Sequence, residues 1–327
     1  MSIVKLSNSK VFSCGAEQTL LEAARAQGIL LEHGCRTGRC GICKAKVVTG
    51  TTSVLLDEGS LSQDERDREI ILTCCRAAVT DVELDIEDLS ELAGFSVKTL
   101  PCRIDGLQML SEDVLDVTLR LPPNSSLQYL PGQYVDIIKG SVRRSYSVAN
   151  APRDDGKITM QIRRVANGEM SRYWFDEAKE NDLLRLEGAL GTFFLRQESA
   201  RHLIFLATGT GIAPIKAILQ QLASSKGLGS YENIHLYWGG RCERDMYWVP
   251  DFPGLNLNYV QVLSRSASST GRMGYVQDAV IDSGIALEAA VVYACGSEKM
   301  IESARETLIA SGLEPKRFHS DAFVSSN

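Results

Sequence analysis

Long apolar runs are missing from this chain: none approaches the ~18–20 residues that a membrane-spanning helix needs. The N-terminus, Met1-Ser-Ile-Val-Lys-Leu, has no basic segment leading into an apolar core, so a secretory signal is not expected. Histidine is scarce: the four residues, His33, His202, His235 and His319, show no spacing suited to a two-histidine metal centre. Internal repeats and low-complexity tracts are also absent. The nine cysteines are an odd number, which argues against a disulfide framework. The expectation is a cytoplasmic chain whose thiols stay reduced or bind metal. A large charge of one sign is lacking too, since 35 Lys+Arg stand against 41 Asp+Glu for a net of −6. Nucleic acid is therefore not an expected partner, and neither is a membrane.

The charge is unevenly spread. Residues 1–95 hold 10 Lys+Arg and 15 Asp+Glu, a net of −5, so the other 232 residues contribute only −1. Within the acidic stretch the sign reverses around a cysteine loop, where Arg36, Arg39, Lys44 and Lys46 have only Glu32 nearby. Two readings stand side by side: a solvated surface of mixed charge, or a basic rim facing an acidic partner.

A length of 327 residues suits two or three domains, and three composition regimes are visible. Residues 1–92 predict strands over Ile3–Leu6 and Val11–Ser13, then a helix over Thr19–Gln27 with Thr19 as N-cap and Gly28 as stop. Lys44–Val48, Ile70–Thr73 and Val82–Ile86 follow as strands, an order that suits a small β-grasp domain. A break at Leu92–Lys98 marks residues 93–99 as a linker. Residues 100–198 predict strands over Arg103–Leu107, Val114–Leu121, Gln133–Ile138, Arg144–Val148, Ile158–Arg164 and Leu183–Glu187, an antiparallel β-barrel. Residues 199–327 alternate buried-type strands (His202–Ala207, Ile234–Trp238, Leu257–Leu263, Ala290–Ala294) with helices (Ala213–Leu222, Tyr275–Ile281, Glu298–Ala310), a parallel α/β sheet. The expected class is multidomain, α+β and α/β.

Cys35, Cys40 and Cys43 form a C-x₄-C-x₂-C run, with Cys74 thirty-one positions further on. Four thiolates so spaced are what a plant-type [2Fe–2S] cluster needs. Gly34, Gly38 and Gly41 interleave with them, which lets the backbone wrap closely and point N–H groups at sulfur. A structural zinc site would show two C-x₂-C pairs, and only one exists. Cys74 and Cys75 are adjacent, so spacing alone leaves the fourth ligand open. Cys75 is expected to point away from Cys74 if the segment is extended. Ile-Leu-Thr-Cys74 resembles the Leu-Thr-Cys that carries the last ligand in plant-type ferredoxins, and that resemblance assigns Cys74.

Arg144-Ser-Tyr146-Ser147 offers a guanidinium for a phosphate, an aromatic face for a planar ring, and a hydroxyl beside it. It resembles the R-x-Y-S signature of the ferredoxin–NADP reductase superfamily. That resemblance implies that Arg144 contacts the flavin phosphates, Tyr146 packs on the isoalloxazine, and Ser147 lies near its N5. Pro131-Gly-Gln-Tyr134 fits the same pattern, and Gly168-Glu-Met170-Ser171 is similar to the helix start whose N–H groups bind the pyrophosphate. FAD is favoured over FMN.

Ala207-Thr-Gly209-Thr210-Gly211-Ile-Ala-Pro214 follows a strand and opens a helix, where glycines permit close approach to a pyrophosphate. Paired with Tyr293-Ala-Cys295-Gly296, it resembles the superfamily's nicotinamide site, which implies that Cys295 helps position the ring for hydride transfer. Arg241 and Arg265 both follow strands and could each meet a 2′-phosphate; NADH is favoured, with NADPH use open. Phe323 resembles the C-terminal aromatic that lies against the flavin in relatives.

Together the regimes resemble, over essentially the whole chain, the N-terminal-ferredoxin reductases. The resemblance implies an NAD(P)H-dependent oxidoreductase in which a nicotinamide gives a hydride to the flavin and the cluster hands electrons singly to a partner protein. Segments 71–75, 82–86, 143–152, 187–194 and 318–324 are similar to the branch that serves a pyridoxamine-phosphate-dependent [2Fe–2S] dehydrase in 3,6-dideoxyhexose biosynthesis. The alternatives are a reductase component for an aromatic-ring or multicomponent oxygenase, and a non-catalytic redox-sensing module.

Overall fold

A computed structural model describes residues 1–89, 92, 94–196, 198–224, 231–265 and 271–323. Ala93 of the expected linker and Val324 of the terminal segment lie outside the described residues. The described chain forms two compact units, dividing after Phe95.

The first unit begins with β1 (Ser2–Leu6), β2 (Val11–Cys14) and α1 (Leu20–Ala26). Thr19 caps α1: its hydroxyl accepts from the Glu22 N–H, and Glu22 reaches back to the Thr19 N–H. Such a cap contributes about 1 kcal/mol. Leu20, Leu21, Ala23 and Ala24 put one face of α1 into a core with Val4, Leu6, Phe12, Ile71 and Leu84. Then come β3 (Lys44–Thr49), β4 (Thr52–Val54), α2 (Gln63–Asp67), β5 (Ile70–Leu72), β6 (Arg76–Ala78) and β7 (Val82–Leu84). The main sheet runs β2-β1-β7-β3-β5, with β1 parallel to β7 and the other pairings antiparallel; β4 and β6 form a separate ribbon.

The second unit opens with β8 (Lys98–Ser111), which starts inside the span expected as linker, and β9 (Val114–Arg120). β10 (Tyr134–Lys139), β11 (Val142–Ser147), β12 (Ile158–Arg163), α3 (Glu169–Arg172) and β13 (Leu183–Leu190) follow. The order β11-β10-β13-β8-β9-β12 is antiparallel throughout, and a bridge from Val148 to Met160 brings its two ends together. Alternate side chains, including Ile104, Val117, Leu119, Val135, Ile137, Met160 and Leu186, fill the interior.

β14 (His202–Thr208), α4 (Ile212–Ser224), β15 (Asn233–Gly240), β16 (Leu257–Leu263), β17 (Arg272–Met273), α5 (Val276–Asp282), β18 (Ala290–Ser297), α6 (Glu298–Ala310) and β19 (Phe318–Phe323) complete the unit. The sheet β17-β16-β15-β14-β18-β19 is parallel throughout. Its central strands β15, β14 and β18 are buried on both faces. Ile204, Leu206, Val292 and Ala294 meet α5 and α6, while Leu203, Phe205, Val291, Tyr293 and Cys295 meet α4. No helix among the described residues is long and apolar enough to cross a membrane.

Candidate functional site

The thiol loop runs from the end of α1 to β3. Its backbone takes left-handed conformations at Arg36, Gly38 and Gly41. A Cβ on Gly38 would stand 2.0 Å from the Asp57 carbonyl oxygen, so only glycine fits there. The loop aims N–H groups at sulfur: Thr37 and Cys40 donate to Cys35 Sγ at 3.4 and 3.3 Å, and Cys35 donates to Cys40 Sγ at 3.3 Å. Cys43 and Cys74 bring their sulfurs to 3.2 Å. The four thiols thus fall into two pairs, Cys35 with Cys40 and Cys43 with Cys74. Within each pair the contact favours the thiolate on one partner, so Cys35 and Cys74 are lowered while Cys40 and Cys43 are raised. Among the described residues no three His, Cys, Asp or Glu side chains surround a single ion. Two thiol pairs fit a two-iron group, which takes two ligands on each iron, better than they fit one zinc.

Cys74 and Cys75 do not point apart. Residues 73–75 form a turn between β5 and β6, not an extended segment, and the two sulfurs are 3.5 Å from one another. Cys75 is fully buried and its thiol donates to the Asp57 carbonyl at 3.4 Å; burial, then the Cys74 thiol, pushes it up to about 12. The turn is clamped by Glu58, which sequence reasoning missed. Its buried carboxylate accepts from Arg76 at 2.8–3.1 Å and from the Leu72 N–H at 3.1 Å. In the basic rim, Lys44 is paired with Glu65 at 2.6 Å, while Arg36, Arg39 and Lys46 are exposed.

In the barrel, Arg143 and Arg144 are neighbours with different tasks. Arg143 is held by Asp136 at 3.0 Å and Glu187 at 2.8 Å. Arg144 is exposed, with one N–H on the Arg143 carbonyl at 2.7 Å, and keeps donors for an anion. Tyr146 is half-buried, and its phenol oxygen accepts from Trp174 Nε1 at 3.0 Å, with the rings edge to face. Burial pushes that phenol up to about 12. Ser147 ends the strand and is buried. Tyr134, opposite Ser147, has its ring against Gly191, where a Cβ would be 2.8 Å away. Gly168 is the N-cap of α3, and the first-turn N–H groups of Glu169, Met170 and Ser171 have no intrahelical acceptor. Met170 buries its side chain in the barrel core, and the Ser171 hydroxyl accepts from the Val165 N–H at 2.9 Å. The helix continues as a π-helical turn over Tyr173–Glu177 that delivers Trp174 to Tyr146. Trp174 carried no motif signal.

At the carboxyl edge of the parallel sheet, Gly209–Gly211 forms a 3₁₀ turn leading into α4, with Pro214 in the helix's first turn. β14 and β18 are neighbours, and Ala207 stands opposite Cys295. A Cβ on Gly211 would be 2.2 Å from the Cys295 carbonyl oxygen, and one on Gly296 would be 2.1 Å from Thr208 Oγ1. The two glycine motifs are therefore pressed together. Thr210 lies between the two glycines of the turn. Cys295 is fully buried, and burial, then the charge of Asp321, raises its thiol well above the usual range. Asp321 faces Cys295 from β19, and its burial pushes that carboxyl up to about 7. Phe323 ends the same strand, exposed, opposite Ser297. Arg241 is paired with Asp245 at 3.6 Å, and Arg265 is exposed beside it through a backbone bond of 3.0 Å.

Three sequence families match in succession: a 2Fe-2S iron-sulfur cluster binding domain over residues 4–80, an oxidoreductase FAD-binding domain over 101–195, and an oxidoreductase NAD-binding domain over 205–306. Among curated proteins, the chain is 40% identical over 331 residues to the CDP-6-deoxy-L-threo-D-glycero-4-hexulose-3-dehydrase reductase of Yersinia pestis, covering 99% of this chain and 98% of that one. It is 30% identical over 318 residues to the toluate 1,2-dioxygenase electron transfer component of Pseudomonas putida, covering 94% and 93%. Among solved structures, the Amycolatopsis cytochrome P450 reductase GcoB superposes with a TM-score of 0.74 at 26% identity, covering 99% of both chains. The chain belongs to the iron–sulfur flavoprotein reductases, oxidoreductases that join a [2Fe–2S] ferredoxin domain to FAD- and NAD-binding domains.

Proposed function

We propose that this chain draws on NADH to supply single electrons to the dehydrase that acts on a CDP-linked 4-hexulose, that is, that it serves as a CDP-6-deoxy-Δ3,4-glucoseen reductase. The observation that carries the reading is the 40% identity over essentially full length to a reductase of that dehydrase, against 30% to a dioxygenase component. A cytoplasmic setting goes with it, since the cluster ligands must stay reduced.

When bound, the nicotinamide supplies a hydride, the flavin accepts it as an electron pair, and the cluster passes electrons on one at a time. The rest is the work of the chain's own residues. Cys35 and Cys40 would hold one iron and Cys43 and Cys74 the other, with N–H···S bonds from the loop tempering the charge on sulfur. Arg144 would pair with the flavin phosphates, and the N–H groups after Gly168, at Met170 and Ser171, would receive the pyrophosphate. Tyr146, fixed by Trp174, would present a ring face to the flavin, with Ser147 beside it. Gly209, Thr210 and Gly211, with Pro214 behind them, would admit the nicotinamide cofactor's pyrophosphate. Cys295 and Gly296 would orient the nicotinamide ring, and Phe323 would cover the flavin until that ring arrives. The Asp245 carboxylate, which accepts from the Arg241 N–H at 2.7 Å and pairs with its guanidinium at 3.6 Å, would meet the ribose hydroxyls and engage Arg241, which supports NADH.

Reconstitution tests the reading. With NADH, the protein should turn over a purified pyridoxamine-phosphate-dependent dehydrase at least about tenfold faster, per kcat/KM, than a ring-hydroxylating oxygenase component, roughly 1.4 kcal/mol of discrimination. Faster delivery to the oxygenase would move the chain to the second reading, which the 30% relative supports.

A further inference from the structure

The glycine turn at 209–211 is fixed on one side by Cys295 and Gly296. Its other side is fixed too, by residues that belong to no motif. Gly209 has φ +54°, and its carbonyl accepts from Trp238 Nε1 at 3.0 Å. Trp238 lies on β15, opposite Ala207 on β14, and is fully buried. A buried indole N–H must find an acceptor, and here the turn supplies it. The indole meets the ring of Tyr247 edge to face, with centroids 5.0 Å apart and planes at 82°. The Tyr247 hydroxyl donates to Gln161 Oε1 at 3.1 Å. Gln161 is a buried residue of β12, on the barrel. Two residues further along β12, Arg163 is held by Asp113 at 2.8–2.9 Å. A Cβ on Gly209 would lie 3.0 Å from its guanidinium. One barrel strand therefore reaches the turn twice, directly through Arg163 and through Gln161, Tyr247 and Trp238.

We infer that Trp238 and Tyr247 are positioning residues for hydride transfer, forming a strut that fixes the 209–211 turn against barrel strand β12. The inference rests on the proposed function, in which the turn carries the nicotinamide cofactor and the barrel carries the flavin. Transfer rates depend steeply on the approach of the reacting atoms, so a turn free to shift by a fraction of an ångström costs rate before it costs affinity. Tyr247→Phe keeps the ring against Trp238 and deletes only the donor to Gln161. Trp238→Phe deletes the indole donor and leaves the Gly209 carbonyl to the Ile212 N–H of its own turn, with no tie to β15.

The test uses the full-length, flavin- and cluster-loaded protein and two readouts. Rapid mixing with NADH gives the limiting rate of flavin reduction and, from its concentration dependence, the Kd for NADH. Hydrogen exchange of the amides at 208–213, measured without nucleotide, reports how firmly the turn is held. Tyr247→Phe is expected to lower the limiting rate about tenfold to a hundredfold with Kd changed less than about twofold. Its turn amides should exchange faster, with flavin content unchanged and the unfolding midpoint lowered by no more than about 2–4 °C, as one lost buried hydrogen bond implies. Trp238→Phe should do the same and also raise Kd. Adding Gln161→Leu to Tyr247→Phe should leave the limiting rate and the turn exchange where Tyr247→Phe puts them, because both break the same link to the turn; the Gln161 bond to Asp116, lost as well, belongs to the barrel. Trp248→Phe, which alters a ring packed on Trp238 at 6.5 Å, should leave both readouts at wild-type values. A Tyr247→Phe protein with wild-type rate and exchange overturns the inference, and so does a double variant whose losses multiply. If the wild-type flavin is not reduced by NADH at all, the proposed function falls first. Should Trp238→Phe fail to fold, Tyr247→Phe alone decides.

Discussion

Cys74 and Cys75 carry the same thiol, both buried, with sulfurs 3.5 Å apart, yet only Cys74 reaches Cys43. What separates them is the partner each already has. Cys75 is committed to the Asp57 carbonyl and lies behind Gly38, where a Cβ would be 2.9 Å from its sulfur. Cys74 is committed to the Cys43 thiol and, through a backbone bond from Gly38, to the loop that carries the other ligands. Cys74→Ser is therefore expected to abolish the visible iron–sulfur absorbance and reduction of the partner. NADH-dependent ferricyanide reduction, which needs only the flavin and nicotinamide sites, should persist. Cys75→Ser should keep the absorbance, since a serine hydroxyl can also donate to Asp57. If the two variants exchange these behaviours, the fourth ligand is Cys75.

At the scale of elements, the fourth thiol depends on a three-residue turn between two three-residue strands, which local hydrogen bonds alone would not hold. Glu58 holds it, bridging the Leu72 N–H on one side and the Arg76 guanidinium on the other. Removing one partner of such a buried pair costs about 3–5 kcal/mol because the other is left uncompensated. Glu58→Ala should therefore bleach the iron–sulfur absorbance at lower denaturant than the wild type while flavin release is unchanged; simultaneous loss of both signals would show that the clamp is not local. The clamp was not legible in the sequence, because a Glu and an Arg eighteen positions apart carry no period and no motif. The long elements were legible. Thr19–Gln27, the six barrel strands and the alternating strands and helices of the last third all appear, since apolar periodicity and caps are written into neighbouring residues. β4, β6 and β17 are two or three residues long, too short to show a period. β19 is a strand only because β18 lies beside it. The 73–75 turn is hidden in the sequence because Thr-Cys-Cys has no glycine, proline or asparagine to mark it, so whether the segment is extended stays open there. Trp174, Trp238 and Tyr247 were invisible for a related reason: an aromatic residue in a buried segment reads as packing, and only the structure shows where its polar atom goes.

At the scale of the whole molecule, charge is the remaining asymmetry. Residues 1–95 carry −5 of the net −6, and an acidic unit should repel an acidic partner. Arg36 and Arg39 sit in the thiol loop itself, and Lys46 follows on β3, so an acidic surface would be drawn in at the cluster. Lys44, neutralised by Glu65, contributes less than its sequence position suggests. Charge placed this way acts mainly on the encounter rate, and salt removes it as the screening length falls to about 3 Å near 1 M. Arg36→Glu with Arg39→Glu should slow delivery to the proposed dehydrase partner about tenfold or more at low ionic strength, with the gap to wild type closing as salt is added. Flavin reduction by NADH and internal reduction of the cluster, followed by absorbance in the same protein, should keep their wild-type rates. A deficit that persists at high salt, or that appears already in the internal steps, would place the partner's contact elsewhere and give these arginines a structural task in the loop.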